Sequence, residues 1–175
     1  LVAPSWGQGM TIESGVGEQL VDQLLERGHR VTLRPHPQTI RLAKNKVSAI
    51  VNKHGNNPSF FYEANVDGQE SLHAADVMIS DWSGAALDYA FGLNKPVLFV
   101  DLPRKVNNPD YDALGLAPIE VVIRSKIGGL LDLQLLDLSV AQNQVDIEVW
   151  VYNPGTSSEY GSDYIINLIT RIGST

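Results

Sequence analysis

Hydrophobic positions along the chain fall into two alternating patterns: short strand-like runs, and longer stretches with helical spacing. The short runs lie at residues 1–3, 30–33, 60–63, 77–79 and 96–100. The last of these, Pro-Val-Leu-Phe-Val, is apolar throughout, as expected of a strand buried on both faces. Between the runs, residues 14–27 place Val16, Leu20, Val21, Leu24 and Leu25 on one helix face and stop at Gly28. Residues 38–53 predict a second helix with Ile40, Val47, Ile50 and Val51 inward, broken by Asn56-Asn57-Pro58. Shorter helices are predicted over 71–75 and 85–91. Strand and helix therefore alternate, which predicts an α/β fold with a Rossmann-like, doubly wound parallel sheet.

Further on the pattern weakens. Residues 104–118 read as a polar loop, 119–123 as a sixth strand, 127–136 as a helix of poorer periodicity and 164–172 as a terminal helix folding back on the domain, while 130–151 resist assignment. A length of 175 residues with 43% hydrophobic content suits one domain spanning residues 1–175 with a real core. The chain opens on Leu1-Val2-Ala3, which reads as the inside of a strand. We therefore expect it to be a fragment of a longer two-domain protein, with further sequence upstream.

Charge narrows the partners. Thirteen basic residues against 20 acidic ones leave a formal charge of -7, which disfavours nucleic acid or an anionic lipid surface as a general partner. Any phosphate must be held locally. The chain has no cysteine, which excludes disulfides and thiolate metal sites and suits a reducing cytoplasm. No apolar run approaches the roughly 20 residues of a spanning helix, so we expect at most a peripheral membrane association of the full-length protein at the inner membrane face.

In an open parallel sheet the ligand crevice lies beyond the carboxyl ends of the strands, which singles out three loops. In Ser80-Asp81-Trp82-Ser83-Gly84-Ala85, small residues at a strand-to-helix turn let a ligand approach the backbone, and free amides at Ser83, Gly84 and Ala85 can hold a phosphate oxygen. Asp88, one turn on, suits ribose hydroxyls; Ser83 as a simple helix cap and Asp88 as a solvated side chain fit equally well. In Arg34-Pro35-His36-Pro37 the prolines fix a guanidinium and an imidazole at a strand end, suited to binding phosphate or protonating a leaving phosphate, although a polar turn has the same composition. The third loop, Ser5-Trp6-Gly7-Gln8-Gly9, holds glycines after a first strand but lacks the three-glycine dinucleotide fingerprint. Arg104 and Lys105 follow a strand and suit phosphate neutralisation or a solvated loop. His29, His54 and His73 read as structural, and no histidine pair has metal-ligand spacing, so no metal is expected.

At these loops the sequence resembles the CDP-glycerol glycerophosphotransferase family, the poly(glycerol phosphate) polymerases and primases of teichoic acid synthesis. The resemblance rests on Ala3-Pro4-Ser5-Trp6, on Arg34-Pro35-His36-Pro37, and on Ala75 to Gly84 running through Asp88 to Lys95-Pro96-Val97-Leu98-Phe99, in the family's order over about the first two thirds of the chain. It implies the C-terminal, nucleotide-binding half of a GT-B enzyme, with CDP-glycerol as substrate and no cofactor. It further implies a polyol-phosphate or glycan acceptor presented by an N-terminal domain that also carries the catalytic base. Carried over, His36 contacts the donor pyrophosphate, Ser83 binds phosphate and Asp88 belongs to the same nucleotide site. Two positions depart from the family pattern: Gly84 stands where a second serine is usual, and Gly7 where an arginine often follows the tryptophan. Rival readings are an NDP-sugar glycosyltransferase or nucleotide-sugar epimerase on the same scaffold, and a non-catalytic nucleotide-binding or interaction module.

Overall fold

The computed structural model describes residues 1–103, 128–133, 136, 138 and 162–163. The chain divides into two compact units, Leu1–Gln144 and Val145–Thr175. Of the second unit, Ser162 and Asp163 are described; both are helical and exposed. The predicted loop at 104–118, strand at 119–123 and helix at 164–172 lie outside the described residues.

In the first unit, β1 (Val31–Leu33) pairs in parallel with β2 (Phe60–Tyr62), and β3 (Met78–Ser80) with β4 (Val97–Val100), which pairs in turn with β5 (Gly128–Leu131). Val2 joins the two sets by bridging Leu33 on one side and Ile79 on the other, both in parallel. The Val2 amide donates to the Thr32 carbonyl at 2.8 Å and the Ala3 amide to the Ile79 carbonyl at 2.9 Å. Across the sheet the order is therefore β2, β1, Val2, β3, β4, β5. The chain winds outward from Val2 to β2, then returns to start again at β3, so the order reverses between Val2 and β3. This is the doubly wound, Rossmann-like topology that the alternation of elements predicts.

Helices fill the crossovers among the described residues. Predicted as one helix, residues 14–27 form part of two, α1 (Thr11–Ser14) and α2 (Val16–Glu26), because Gly15 adopts φ +94, a left-handed conformation that ends one helix and starts the next. Leu20, Val21 and Leu24 are buried as the spacing requires. The second predicted helix is likewise divided, into α3 (Pro37–Leu42) and α4 (Lys44–His54), with Ala43 non-helical at φ -119, ψ 36 and Val47 and Ile50 buried. After α5 (Glu70–Ala74), the helix starting beyond β3 opens as α6 (Ala85–Leu87) and widens into a π-helical turn over Asp88–Gly92. The core draws Val2, Ile12, Leu20, Leu33, Ile50, Ile79, Leu98 and Leu131 into one cluster.

One predicted element changes type. Within the helix expected over 127–136, Gly128–Leu131 is a strand in register with β4, pairing Val97 with Gly128 and Val100 with Leu131. Two consecutive glycines disfavour a helix by about 1 kcal/mol each, and a short apolar run has no period to distinguish helix from strand. Gly128 also lies so close to the Val97 carbonyl and the Phe99 ring that a side chain there would collide.

Candidate functional site

All paired strands run parallel, so the loops after Ala3, Leu33 and Ser80 leave from the same edge of the sheet. The Val2 segment lies between β1 and β3. The loops carrying His36 and Ser83 thus flank the loop carrying Ser5, two ladder spacings, or about 10 Å, apart at their roots. The loops that carry His36 and Ser83 therefore leave from one edge of the sheet, at the reversal of strand order.

Asp81 organises this corner. It is fully buried, and both carboxylate oxygens accept hydrogen bonds: Oδ1 from the Ser5 amide at 2.7 Å, Oδ2 from the Thr11 amide at 3.1 Å and the Thr11 hydroxyl at 2.8 Å. Met10, the residue before α1, provides no side-chain cap, so the distant Asp81 carboxylate takes that task at the positive end of α1. A carboxylate so committed positions the loop at residues 4–9. Ser80 adds a second tie, its hydroxyl donating to the Ala3 carbonyl at 2.7 Å.

Glu13 closes the other side. Its Oε1 accepts from the Gly7 amide at 3.1 Å and the Thr39 hydroxyl at 2.8 Å, joining the first loop to α3. Sequence reasoning missed Thr11, Glu13 and Thr39; the available signal was an acidic residue in the first turn after a glycine-bearing loop. Gly7 adopts φ +125 and Gly9 φ +83. Gly7 thus occupies a conformation that an arginine would strain.

His36 is the N-cap of α3 and precedes Pro37 at its first position; its Nδ1 accepts from the Gln38 amide at 3.1 Å. An Nδ1 that accepts places the proton of the neutral ring on Nε2, making that atom a donor. The Trp6 ring sits beside it, centroids 6.0 Å apart and tilted by 33°. Arg34 is turned to a different task. Its guanidinium donates to Glu63 Oε1 at 3.1 Å, Ser71 Oγ at 3.0 Å and the Val66 carbonyl at 2.7 Å, so it holds the segment after β2 against the sheet edge.

On the third loop, Ser83 Oγ accepts from the Ala85 amide at 3.3 Å, so the serine caps the turn and engages one of the three candidate amides. Gly84 is exposed at φ -60, and a side chain built there would meet nothing within 4 Å. Neither conformation nor packing requires glycine at 84. Asp88 is exposed, and its amide donates to the Gly84 carbonyl at 3.2 Å. Behind it, Tyr89 is fully buried and donates from its hydroxyl to the Ala75 carbonyl at 2.7 Å. Burial, then the negative charge of Asp76, push its phenol up to about 12. Trp82 Nε1 donates to the Leu102 carbonyl at 3.1 Å, tying this loop to the segment after β4. Ser5 Oγ is buried and has no hydrogen-bond partner among the described residues. Arg104 and Lys105 lie outside the described residues. His54 pairs with Asp22 at 2.7 Å beside the Phe60 ring, far along the chain from these loops.

Fold and site together define a Rossmann-like parallel α/β domain whose three candidate loops converge where the strand order reverses. The family described as CDP-Glycerol:Poly(glycerophosphate) glycerophosphotransferase matches residues 3–104, more than half of the chain, and the chain belongs to that family of transferases. No curated protein and no solved structure matches it. Among the described residues no helix is long and apolar enough to cross a membrane.

Proposed function

We propose that this chain is the nucleotide-binding half of a two-domain GT-B glycerophosphotransferase and binds CDP-glycerol at the reversal point between Val2 and β3. The observation that carries the proposal is the convergence of the loops after Ala3, Leu33 and Ser80 on one edge, built around a buried Asp81. An acceptor hydroxyl attacks the β-phosphorus of the donor. The new P–O bond forms to the acceptor, the bond to the bridging oxygen breaks, and CMP leaves with the electron pair.

His36 Nε2 donates to the pyrophosphate and stabilises the charge that develops on the leaving CMP. The amides at Ser83 and Gly84 and the Ser5 hydroxyl, which has no partner among the described residues, supply further donors, and Asp88 accepts from ribose hydroxyls. The Ala85 amide, engaged by Ser83, supports the turn instead. Arg34 and Asp81 act by position, holding the walls to which His36 and Ser5 are attached. The base that deprotonates the acceptor belongs to the N-terminal half, and the acceptor is a polyol phosphate of a cell-surface polymer such as teichoic acid, made at the cytoplasmic face.

Calorimetry of the chain with CDP-glycerol, CMP and UDP tests this reading. CDP-glycerol and CMP should bind and UDP should bind at least about tenfold more weakly, a discrimination of about 1.4 kcal/mol. Binding of UDP without CMP would replace the assignment with an NDP-sugar enzyme.

A further inference from the structure

Beside the corner described above, a cleft of about 660 Å³ opens between the first loop and the α3–α4 junction, lined by Trp6, Gly7, Glu13, Arg41, Lys44 and Lys46 among others. In a chain of net charge -7, Arg41, Lys44 and Lys46 are all exposed. The ion pairs among the described residues involve Arg34, Lys53 and His54, and none of the three cleft cations. Lys44 and Lys46 also stand in the first turn of the eleven-residue α4, which has no acidic residue there and no side-chain cap. Cations at that end oppose the helix dipole, an arrangement that an anion between them relieves. The cleft adjoins the donor corner through Trp6, which lines it and also packs beside His36.

We propose that this cleft is a second subsite, which holds the phosphodiester backbone of the polyol-phosphate chain a few units away from its reacting end. The proposal rests on the glycerophosphotransferase reading and extends it from the donor to the polymer. Three cations against one carboxylate, Glu13, in the lining of one cleft suit a thread of regularly spaced phosphates. They suit a flat anionic bilayer less, because the rest of an acidic chain repels such a surface while a single strand can enter the concavity. The Trp6 ring and the stems of the cationic side chains offer apolar surface to the glycerol units between phosphates.

The test is calorimetry of the 175-residue chain and of its Arg41→Gln/Lys44→Gln/Lys46→Gln variant, with a short glycerol-phosphate oligomer, CDP-glycerol and phosphatidylglycerol vesicles as separate ligands. The three side chains are exposed, so the variant should keep its melting temperature; the Arg41→Gln single variant provides an independent measure should it not. Oligomer affinity should fall about tenfold or more in the triple variant and become less sensitive to salt, with CDP-glycerol affinity unchanged. An oligomer that does not bind the parent chain, or binds parent and variant alike, overturns the subsite, as does tighter and cation-dependent binding to the vesicles than to the oligomer. Loss of CDP-glycerol binding in the parent chain, with cation-dependent oligomer binding intact, would instead refute the donor reading and leave the subsite standing.

Discussion

Tyr89 illustrates how much a single side chain beside the corner is asked to do. Its hydroxyl shares the Ala75 carbonyl with Lys95 Nζ, which also binds the His73 carbonyl, so two side chains close the end of α5. Tyr89→Phe should cost about 1 kcal/mol, the net worth of one hydrogen bond whose acceptor keeps another donor. The pH dependence has a definite sign. An unfolded tyrosine releases its proton near pH 10, whereas the folded one holds it to about 12, so this contribution is full below pH 10 and is lost as pH rises through 12. Urea midpoints compared at about pH 9 and about pH 11 should fall more in the parent than in Tyr89→Phe. Two glycines make a contrasting pair. A side-chain carbon at Gly17 would lie 2.7 Å from the buried Ile12 side chain, so Gly17→Ala should destabilise by about 1–3 kcal/mol. Gly84→Ser, into open space at an ordinary φ, should change stability by no more than about 0.5 kcal/mol. Thermal or urea unfolding of both variants checks the pair. Imidazole and cap are combined at position 36, so His36→Ala weakens α3 as well as the candidate site and should lower the melting temperature. Asparagine at 36 keeps a cap and removes the ring.

At the scale of elements, the first loop is held from two sides by carboxylates, one close in sequence at Glu13 and one distant at Asp81. Asp81 is 76 residues from Ser5 and 70 from Thr11. Such pairings leave no local mark, which explains why Arg34 reads from sequence as a phosphate ligand and Asp81 as a loop residue, while the fold places both among protein partners. The breaks at Gly15 and Ala43 are illegible for a related reason. The apolar positions at Leu20, Val21 and Leu24, and at Val47 and Ile50, keep helical spacing within each piece and say little about where the axis turns. What was legible is what burial dictates: the strand at 97–100, the inward faces of α2 and α4, and the three loops at strand ends. Asp81→Asn should therefore differ in kind from Asp88→Ala. The first weakens a buried charged group accepting three bonds and should lose about 2–3 kcal/mol of stability together with donor affinity. The second alters an exposed side chain and should lose donor affinity with stability within about 0.5 kcal/mol. Urea melts alongside calorimetry with CDP-glycerol separate the two outcomes.

For the molecule as a whole, the governing fact is the reversal of strand order between Val2 and β3. From Val2 the strand order runs through β1 to β2 on one side and through β3 and β4 to β5 on the other, the arrangement in which open α/β sheets leave a crevice at the reversal. The family match over residues 3–104 runs from Ala3, next to the bridging Val2, through β4. Sequence could order these pieces but not join them, because the Val2 bridge to both Leu33 and Ile79 is a property of the assembled sheet. Backbone amide resonances followed during titration with CDP-glycerol test the central claim most directly. Shifts should concentrate at Ser5, Gly7, His36, Ser83 and Gly84, with little change at residues 29–32 and 74–77 on the opposite edge. Shifts confined to that opposite edge, with the three loops silent, would contradict the account.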